Sequence, residues 1–350
     1  MYAHNTRTFN NSVDGGCYSE NWKKNHESQT FPALLHKSGY ETFFAGKYLN
    51  EYYSKDVPVG WSHWFGLHGN SKYYNYTLNE NGVLKDYKDN QEDYLTTVIK
   101  DHTLNFFAKR NSSKVPFFAM LSLPACHAPF TPEEKYKDHF KYVKALKTKN
   151  FNIGAEVNSK HWLMTMEPRT LPDEVLSSMD DIFHSRWETL LSVDDMVEDV
   201  VLQLNKQNVI DETYIIFTSD NGYHIGQWAM PKDKRLPYET DIRVPLIIRG
   251  PNVPLKSYIN TPVLLIDLAP TILNWAKVRI DYSNYDGVPL DDVIAKASLN
   301  DTEIVERKFL VEYWGEGNRK TYNPDCPWKA RDQLNQCNKD SACKCEDSWK

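Results

Sequence analysis

Tyr214-Ile215-Ile216-Phe217-Thr218-Ser219-Asp220-Asn221-Gly222 is a short apolar run that stops on a carboxylate, an amide and a glycine. Its length and its β-branched and aromatic content predict a strand, and the Asn-Gly pair predicts the turn that ends it. The same pattern recurs along the chain. Thr42-Phe43-Phe44-Ala45 ends at Gly46-Lys47. Pro116 to Leu123 reads as a buried strand that ends at Pro124 and is followed by Cys126-His127-Ala128-Pro129. Val244 to Ile248 is closed by Gly250-Pro251, and Phe309 to Tyr313 reads as one more strand.

Helical patterns lie between these runs. Thr30 is a candidate N-cap, with Pro32 in the first turn of a helix that stops near Gly39. Residues 92–110 carry Leu95, Val98, Ile99 and Phe106 broadly on one face. Residues 172–206 form the longest candidate, with a stripe of Val175, Met179, Ile182, Phe183, Trp187, Leu190, Leu191, Val193 and Val197. Helices alternating with short apolar strands predict an α/β fold with a largely parallel sheet. In such sheets sites gather at the carboxyl ends of strands, where Lys47, His127 and Asp220 fall.

Composition narrows the classes. The chain has 350 residues, 41% of them hydrophobic, which is enough for a sizeable core and excludes disorder and collagen-like structure. The net charge of −6 argues against a nucleic-acid partner, which selects a basic face. The longest apolar stretch, Val115 to Ala125, is too short for a membrane span. No apolar segment of a signal peptide opens residues 1–12. Other features are those of secreted proteins. Glycosylation sequons stand at Asn10, Asn75, Asn111 and Asn300. Cys326, Cys337, Cys343 and Cys345 crowd together without zinc-ligand spacing, which predicts a disulfide-clamped segment of open pairing.

The candidate chemistry sits at the strand ends. Asp220 and Asn221 offer hard oxygen donors suited to calcium or magnesium, and are also ordinary turn chemistry. His127 is a candidate general acid or a structural histidine, and His224 is open to the same two readings. Lys47 and Lys234 are compact cations that could hold a sulfate or phosphate oxygen. Lys135, Lys137, Lys141, Lys144, Lys147 and Lys149 form a basic segment, either a solvated surface or an attractor of acidic polysaccharide.

Several strings then stand in a fixed order. They are Phe31-Pro32-Ala33-Leu34-Leu35, Phe43 to Tyr52, Ser71 to Leu78, Lys160-His161-Trp162-Leu163 and Leu190 to Asp195. Thr218 to His224, Asp233-Lys234-Arg235, Tyr238-Glu239, Val244-Pro245-Leu246 and Val311-Glu312-Tyr313 follow. Together they resemble the sulfatase family, in the alkaline-phosphatase-like superfamily, across nearly the whole chain. The heparan 6-O-endosulfatases share Gly46-Lys47-Tyr48-Leu49-Asn50 but carry a long basic insertion that is missing here.

The resemblance implies a sheet with helices on both faces. Residues 1–300 would be the interior of the catalytic α/β domain, and 301–350 the start of a C-terminal subdomain with the Cys-rich segment. It implies hydrolysis of the 6-O-sulfate of N-acetylglucosamine residues in a sulfated glycosaminoglycan, and a lysosomal or secreted destination. Asp220 and Asn221 match the second pair of calcium ligands. Lys47 and Lys234 match sulfate-binding lysines, His127 matches the histidine that protonates the leaving alcohol, and His224 lies beside the metal pair with its role open.

Departures are as informative. The family's nucleophile is a formylglycine made from the cysteine of Cys-x-Pro-x-Arg by the formylglycine-generating enzyme. None of the six cysteines stands in that motif. The motif and the first metal-ligand pair are expected upstream of Met1, so the sequence reads as the interior of a longer sulfatase, inactive by itself and lacking the N-terminal strand. A non-catalytic binder of sulfated glycans is the main alternative, and a phosphatase or phosphodiesterase of the same superfamily is the other.

Overall fold

A computed structural model describes residues 17–110, 114–154, 156, 169–234, 236–298 and 306–311. The elements in chain order are α1 (Glu20–Asn25), α2 (Phe31–Lys37), β1 (Glu41–Gly46), β2 (His63–Leu67), β3 (Tyr76–Glu80), β4 (Val83–Tyr87), α3 (Leu95–Lys109) and β5 (Phe117–Ser122). They continue with α4 (Asp173–Lys206), β6 (Ile215–Thr218), β7 (His224–Ile225), β8 (Lys232–Asp233), α5 (Glu239–Ile242), β9 (Leu246–Arg249), α6 (Leu268–Trp275) and α7 (Asp291–Ser298). The chain divides into two compact units. One comprises residues 1–135, 189–215 and 248–308, the other 136–188, 216–247 and 309–350.

In the first unit a five-stranded sheet has the order β4-β3-β2-β1-β5. β1 runs parallel to both neighbours, with Phe44 opposite Trp64 on β2 and Met120 on β5. Alternation along β1 sends consecutive side chains to opposite faces. Phe43 goes to one core with Leu67, Leu78, Leu95, Ile99, Phe106, Met196 and Leu204, and stacks on Phe106 at 4.8 Å. Phe44 goes to the other with Tyr18, Tyr52 and Trp64, and stacks on Trp64 at 4.5 Å. Leu95, Val98, Ile99 and Phe106 of α3 are all buried, as their spacing predicts. Helix α2 begins after Thr30 with Pro32 in its first turn. The Thr30 hydroxyl donates backward to Glu27 O at 2.8 Å instead of capping the helix.

The sheet is mixed, not largely parallel. β2, β3 and β4 form an antiparallel meander. Its hairpin turns on Asn81-Gly82, both with positive φ (54° and 93°), the signature of a type I′ turn. That dipeptide between two short runs was the available signal. β5 is half-buried instead of buried, with Met120 40% exposed. It is the last strand of the sheet among the described residues.

Helix α4 is the long helix the apolar stripe predicts, but the stripe is not uniformly buried. Val175, Met179 and Val193 are buried while Trp187, Leu190 and Val197 are exposed. In their stead Glu188, Thr189 and Ser192 are buried. The Ser192 hydroxyl donates to Glu133 Oε2 at 2.7 Å, which makes polar burial tolerable.

In the second unit Ala145, Leu171, Val175, Met179, Ile225 and Ala229 form the core. β7 pairs antiparallel with β8, His224 opposite Asp233. β6 and β9 form a two-stranded sheet, and β6 is half-buried with Phe217 exposed. Phe309–Val311 carries no strand. It has no ladder partner among the described residues, and without one an apolar run stays irregular. Asn10, Asn111, Asn300, residues 160–163 and 312–350 with the four clustered cysteines, and the 300/301 boundary lie outside the described residues. No helix among the described residues is long and apolar enough to cross a membrane.

Two histidines make the first unit sensitive to acid. His102 stacks on Phe65 at 4.0 Å, and burial lowers its pKa below the ordinary value. Burial also lowers that of His63. A histidine with a lowered folded pKa is less protonated folded than unfolded, so stability is full above about pH 6.5 and falls as pH drops through that value. The melting temperature is expected to fall between pH 7.5 and 5.5, and H102Q to flatten that slope. An unchanged slope in the variant would remove His102 from this role.

Candidate functional site

Each unit holds part of the predicted residue set. In the first, β1 and β5 end in register at Gly46 and Ser122, and the Lys47 N–H donates to Ser122 O at 2.8 Å. Gly46 has φ +116°, and a Cβ there would overlap Ser122 O. Only glycine lets the two backbones approach this closely while turning. Lys47 therefore leaves the sheet at a fixed point beside the start of the 123–130 segment, which carries His127.

That segment is a tightly hydrogen-bonded turn. His127 N–H donates to Pro124 O at 2.8 Å and Phe130 N–H to His127 O at 3.1 Å. The half-buried His127 ring places Nδ1 2.8 Å from Ala128 O. A carbonyl can only accept, so Nδ1 carries a proton in this contact. Two tyrosines from outside the turn hold it. Tyr73, 1% exposed, donates from its hydroxyl to His127 O at 2.8 Å and toward Pro124 O at 3.4 Å. Tyr94 stacks on Tyr73 at 5.7 Å and donates to Thr131 O at 3.1 Å. Burial pushes the Tyr94 hydroxyl well above its ordinary pKa, so it stays a neutral donor.

In the second unit β6 runs into Ser219-Asp220-Asn221-Gly222. Asn221 N–H donates to Asp220 Oδ1 at 2.9 Å, and Ser219 Oγ donates to Asn221 O at 2.8 Å. Asn221 Nδ2 donates to Gly222 O at 2.7 Å, which turns its Oδ1 the other way. Gly222 N–H donates to Asp241 O at 2.7 Å, and a Cβ on Gly222 would overlap Thr240 O. The Asp-Asn pair is thus set by a close backbone approach, not merely by turn preference.

His224 is fully buried, with Nδ1 3.0 Å from Asp241 Oδ1. Asp241 is buried too, and accepts from Thr240 Oγ1 at 2.8 Å and Leu236 N–H at 3.0 Å. The carboxylate has several donors, as a buried charge requires. Lys234 follows β8 directly, and the β7–β8 register brings its neighbour Asp233 opposite His224. Lys234 N–H donates to Asp233 Oδ1 at 2.8 Å.

Lys47 and His127 are therefore held at adjoining strand ends of one unit, and Asp220, Asn221, His224 and Lys234 within one short stretch of the other. Tyr73, Tyr94 and Asp241 had no assigned role in the sequence. Tyr73 lies in a quoted string and Asp241 two residues beyond another, so position along the chain marked them but not their bonds.

Asp220 and Asn221 are hard oxygen donors, the kind calcium prefers to nitrogen or sulfur. They make two of the six to eight oxygens such an ion takes. No group of three or more His, Cys, Asp or Glu among the described residues could hold a metal.

Comparison with known proteins agrees with the strings. The sulfatase family model matches residues 1–278. The N-acetylglucosamine-6-sulfatases of Bos taurus and Homo sapiens are each 43% identical over 99% of this chain, which covers 62% and 63% of them. The chain thus spans less than two thirds of their length. A structure solved in complex with its substrate D-glucosamine-2-N,6-O-disulfate superposes with a TM-score of 0.63 at 24% identity, over 78% of this chain and 65% of that one.

Two substitutions test the geometry. Y73F removes the donor to two carbonyls and is expected to destabilise by about 1–3 kcal/mol while increasing amide exchange of residues 124–131. G222A is expected to displace the Asp220–Asn221 turn and cost about 1–3 kcal/mol or more by forced overlap. Wild-type melting of both would contradict these contacts.

Proposed function

The chain belongs to the sulfatase family, and we propose that it carries most of the catalytic body of an N-acetylglucosamine-6-sulfatase. Its substrate is a 6-O-sulfated N-acetylglucosamine residue of heparan or keratan sulfate. The observation that supports this most is the 43% identity over 99% of the chain to two mammalian enzymes of that name.

The chemistry of sulfate-ester cleavage assigns the residues. The bond that breaks joins sulfur to the sugar oxygen O6, and negative charge grows on that oxygen and on the transferred group. Lys47 and Lys234 are compact cations for the sulfate oxygens. His127 in its imidazolium form gives the Nε2 proton to O6, while Ala128 O holds Nδ1–H and so keeps the ring oriented. Asp220 and Asn221 Oδ1 would hold calcium, which when bound adds positive charge beside the sulfate. The nucleophile is a formylglycine, and none of the cysteines of this sequence stands in the motif that yields one. His224, buried against Asp241, is a positioning residue for the 220–224 turn and does not touch substrate.

The destination is lysosomal or secreted. Asn75 supports it as an exposed sequon asparagine at a left-handed position (φ 51°) before β3.

In the full-length enzyme H127N is expected to lower kcat by roughly two to four orders of magnitude on 6-sulfated N-acetylglucosamine. A leaving group that needs no proton, such as a nitrophenol, is expected to lose much less. Equal losses on both substrates would remove His127 from the acid role.

A further inference from the structure

Residues 136–150 carry five lysines against one aspartate, in a chain whose net charge is −6. Their backbone is fixed from beneath. Phe140 N–H donates to Glu188 Oε1 at 3.0 Å, and Ala145, buried, donates to Asp180 Oδ1 at 2.9 Å. Phe140 meets Trp187 edge-on at 5.9 Å. At the far end Trp228 N–H donates to Asn150 O at 2.8 Å, and Phe151 bridges to Gln227. The segment is a strap tied to α4 and to the 227–228 turn of the same unit.

The outward side chains combine lysines with a few apolar groups, Tyr142, Val143 and Leu146. Lys141, Lys144, Lys147 and Lys149 are exposed, and between them Tyr142 is 90% exposed. Three acids lie in or against the strap, Asp138 within it and Asp180 and Glu188 on α4, and its five lysines outnumber them. Glu188 and Asp180 are engaged by backbone N–H groups. The ion pairs Lys141–Asp138 and Lys144–Asp180 are long, 3.8 and 3.9 Å, and all but Asp180 of these groups are exposed, so they contribute little. A tyrosine ring left almost bare costs apolar hydration, and pairs naturally with a flat, partly apolar sugar face. Ordered lysines around it offer charge to sulfate groups along a polymer.

We propose that the strap is a docking surface for a sulfated glycosaminoglycan chain, made of residues other than those assigned to sulfate-ester cleavage. Lys141, Lys144, Lys147 and Lys149 engage sulfates and Tyr142 stacks on a sugar ring. The choice of a glycan over another polyanion rests on the sulfatase reading above. The surface gives a polymeric substrate a second hold, raising its local concentration.

The test titrates the full chain with heparin oligosaccharides at several salt concentrations. K147E/K149E is expected to weaken binding about 10-fold or more and to reduce the slope of log K against log salt by roughly 1–2. Y142A is expected to weaken binding without changing that slope. K147Q/K149Q and matched melting curves exclude misfolding as the cause. Unchanged affinity in these variants overturns the proposal, and so does equal binding of duplex DNA at matched charge. Hydrolysis of the 6-sulfated monosaccharide by the full-length holoenzyme tests the sulfatase reading separately. K147E/K149E is expected to leave that rate at the wild-type value while raising KM for the polymer several-fold. Loss of the monosaccharide rate would place these lysines in the catalytic site and overturn a separate surface.

Discussion

The ladder between β1 and β5 is the constraint on which the first unit depends. Six consecutive residue pairs, Glu41–Phe117 to Gly46–Ser122, align the two strands so that they end together. Registry of this kind is strict, because a slip by one residue would send Phe43 and Phe44 to the wrong faces. Phe43 and Phe44 are each 1% exposed, so a slip would misplace two aromatic side chains, each worth about 1.5–3 kcal/mol of burial. The energy of the two cores therefore fixes where Lys47 leaves the sheet and where the His127 turn begins. The placement of Lys47 and of the His127 turn is thus a by-product of aromatic packing several residues away.

A second regularity is the use of buried carboxylates as backbone acceptors. Asp241 takes Leu236 N–H as well as the His224 ring. Asp267, fully buried, takes Leu264 N–H at 2.7 Å, Val288 N–H at 2.9 Å and both Nη groups of Arg307. Glu188 takes Phe140 N–H. Loops and turns cannot satisfy their own amides as helices do, so a charged acceptor on a neighbouring element does so with a stronger bond. Each such carboxylate pins an irregular segment to a regular one, which lets long connections carry defined side chains.

This division explains what the sequence disclosed. The strand at Thr42–Ala45, helix α3 and the long helix α4 were legible because apolar periodicity reports burial directly. So were the strand-end residues, since polar side chains just past apolar runs are conspicuous. The meander β2–β4 was missed because its strands are five residues each and mix apolar with polar side chains, and only Asn81-Gly82 marked its turn. The burial of Glu188 and Ser192 in place of Trp187 and Leu190 could not be read from a stripe, because it depends on partners that come from other segments. Tyr73 and Asp241 fall in the same class. Their role lies in one hydroxyl meeting distant backbone carbonyls and one carboxylate meeting the His224 ring and the Leu236 N–H, which no local pattern encodes.

Charge distribution adds a further constraint. With the strap at net +4 and the whole chain at −6, the remainder stands at −10. A polysulfated chain is repelled by most of that surface at distances within a Debye length of about 8–10 Å. Local cations must then decide where it lands, since attraction and repulsion of a few kT sort encounter geometry before close contact forms. Lysine suits an exposed landing surface because its charge is compact and its stem adjusts to sulfates at varied spacing. Lys47 and Lys234 instead follow β1 and β8 directly, and Lys47 is also tied to β5 by its N–H bond to Ser122 O. An exposed lysine can follow sulfates at varied spacing, whereas one rooted at a strand end has its starting point set by the ladder behind it.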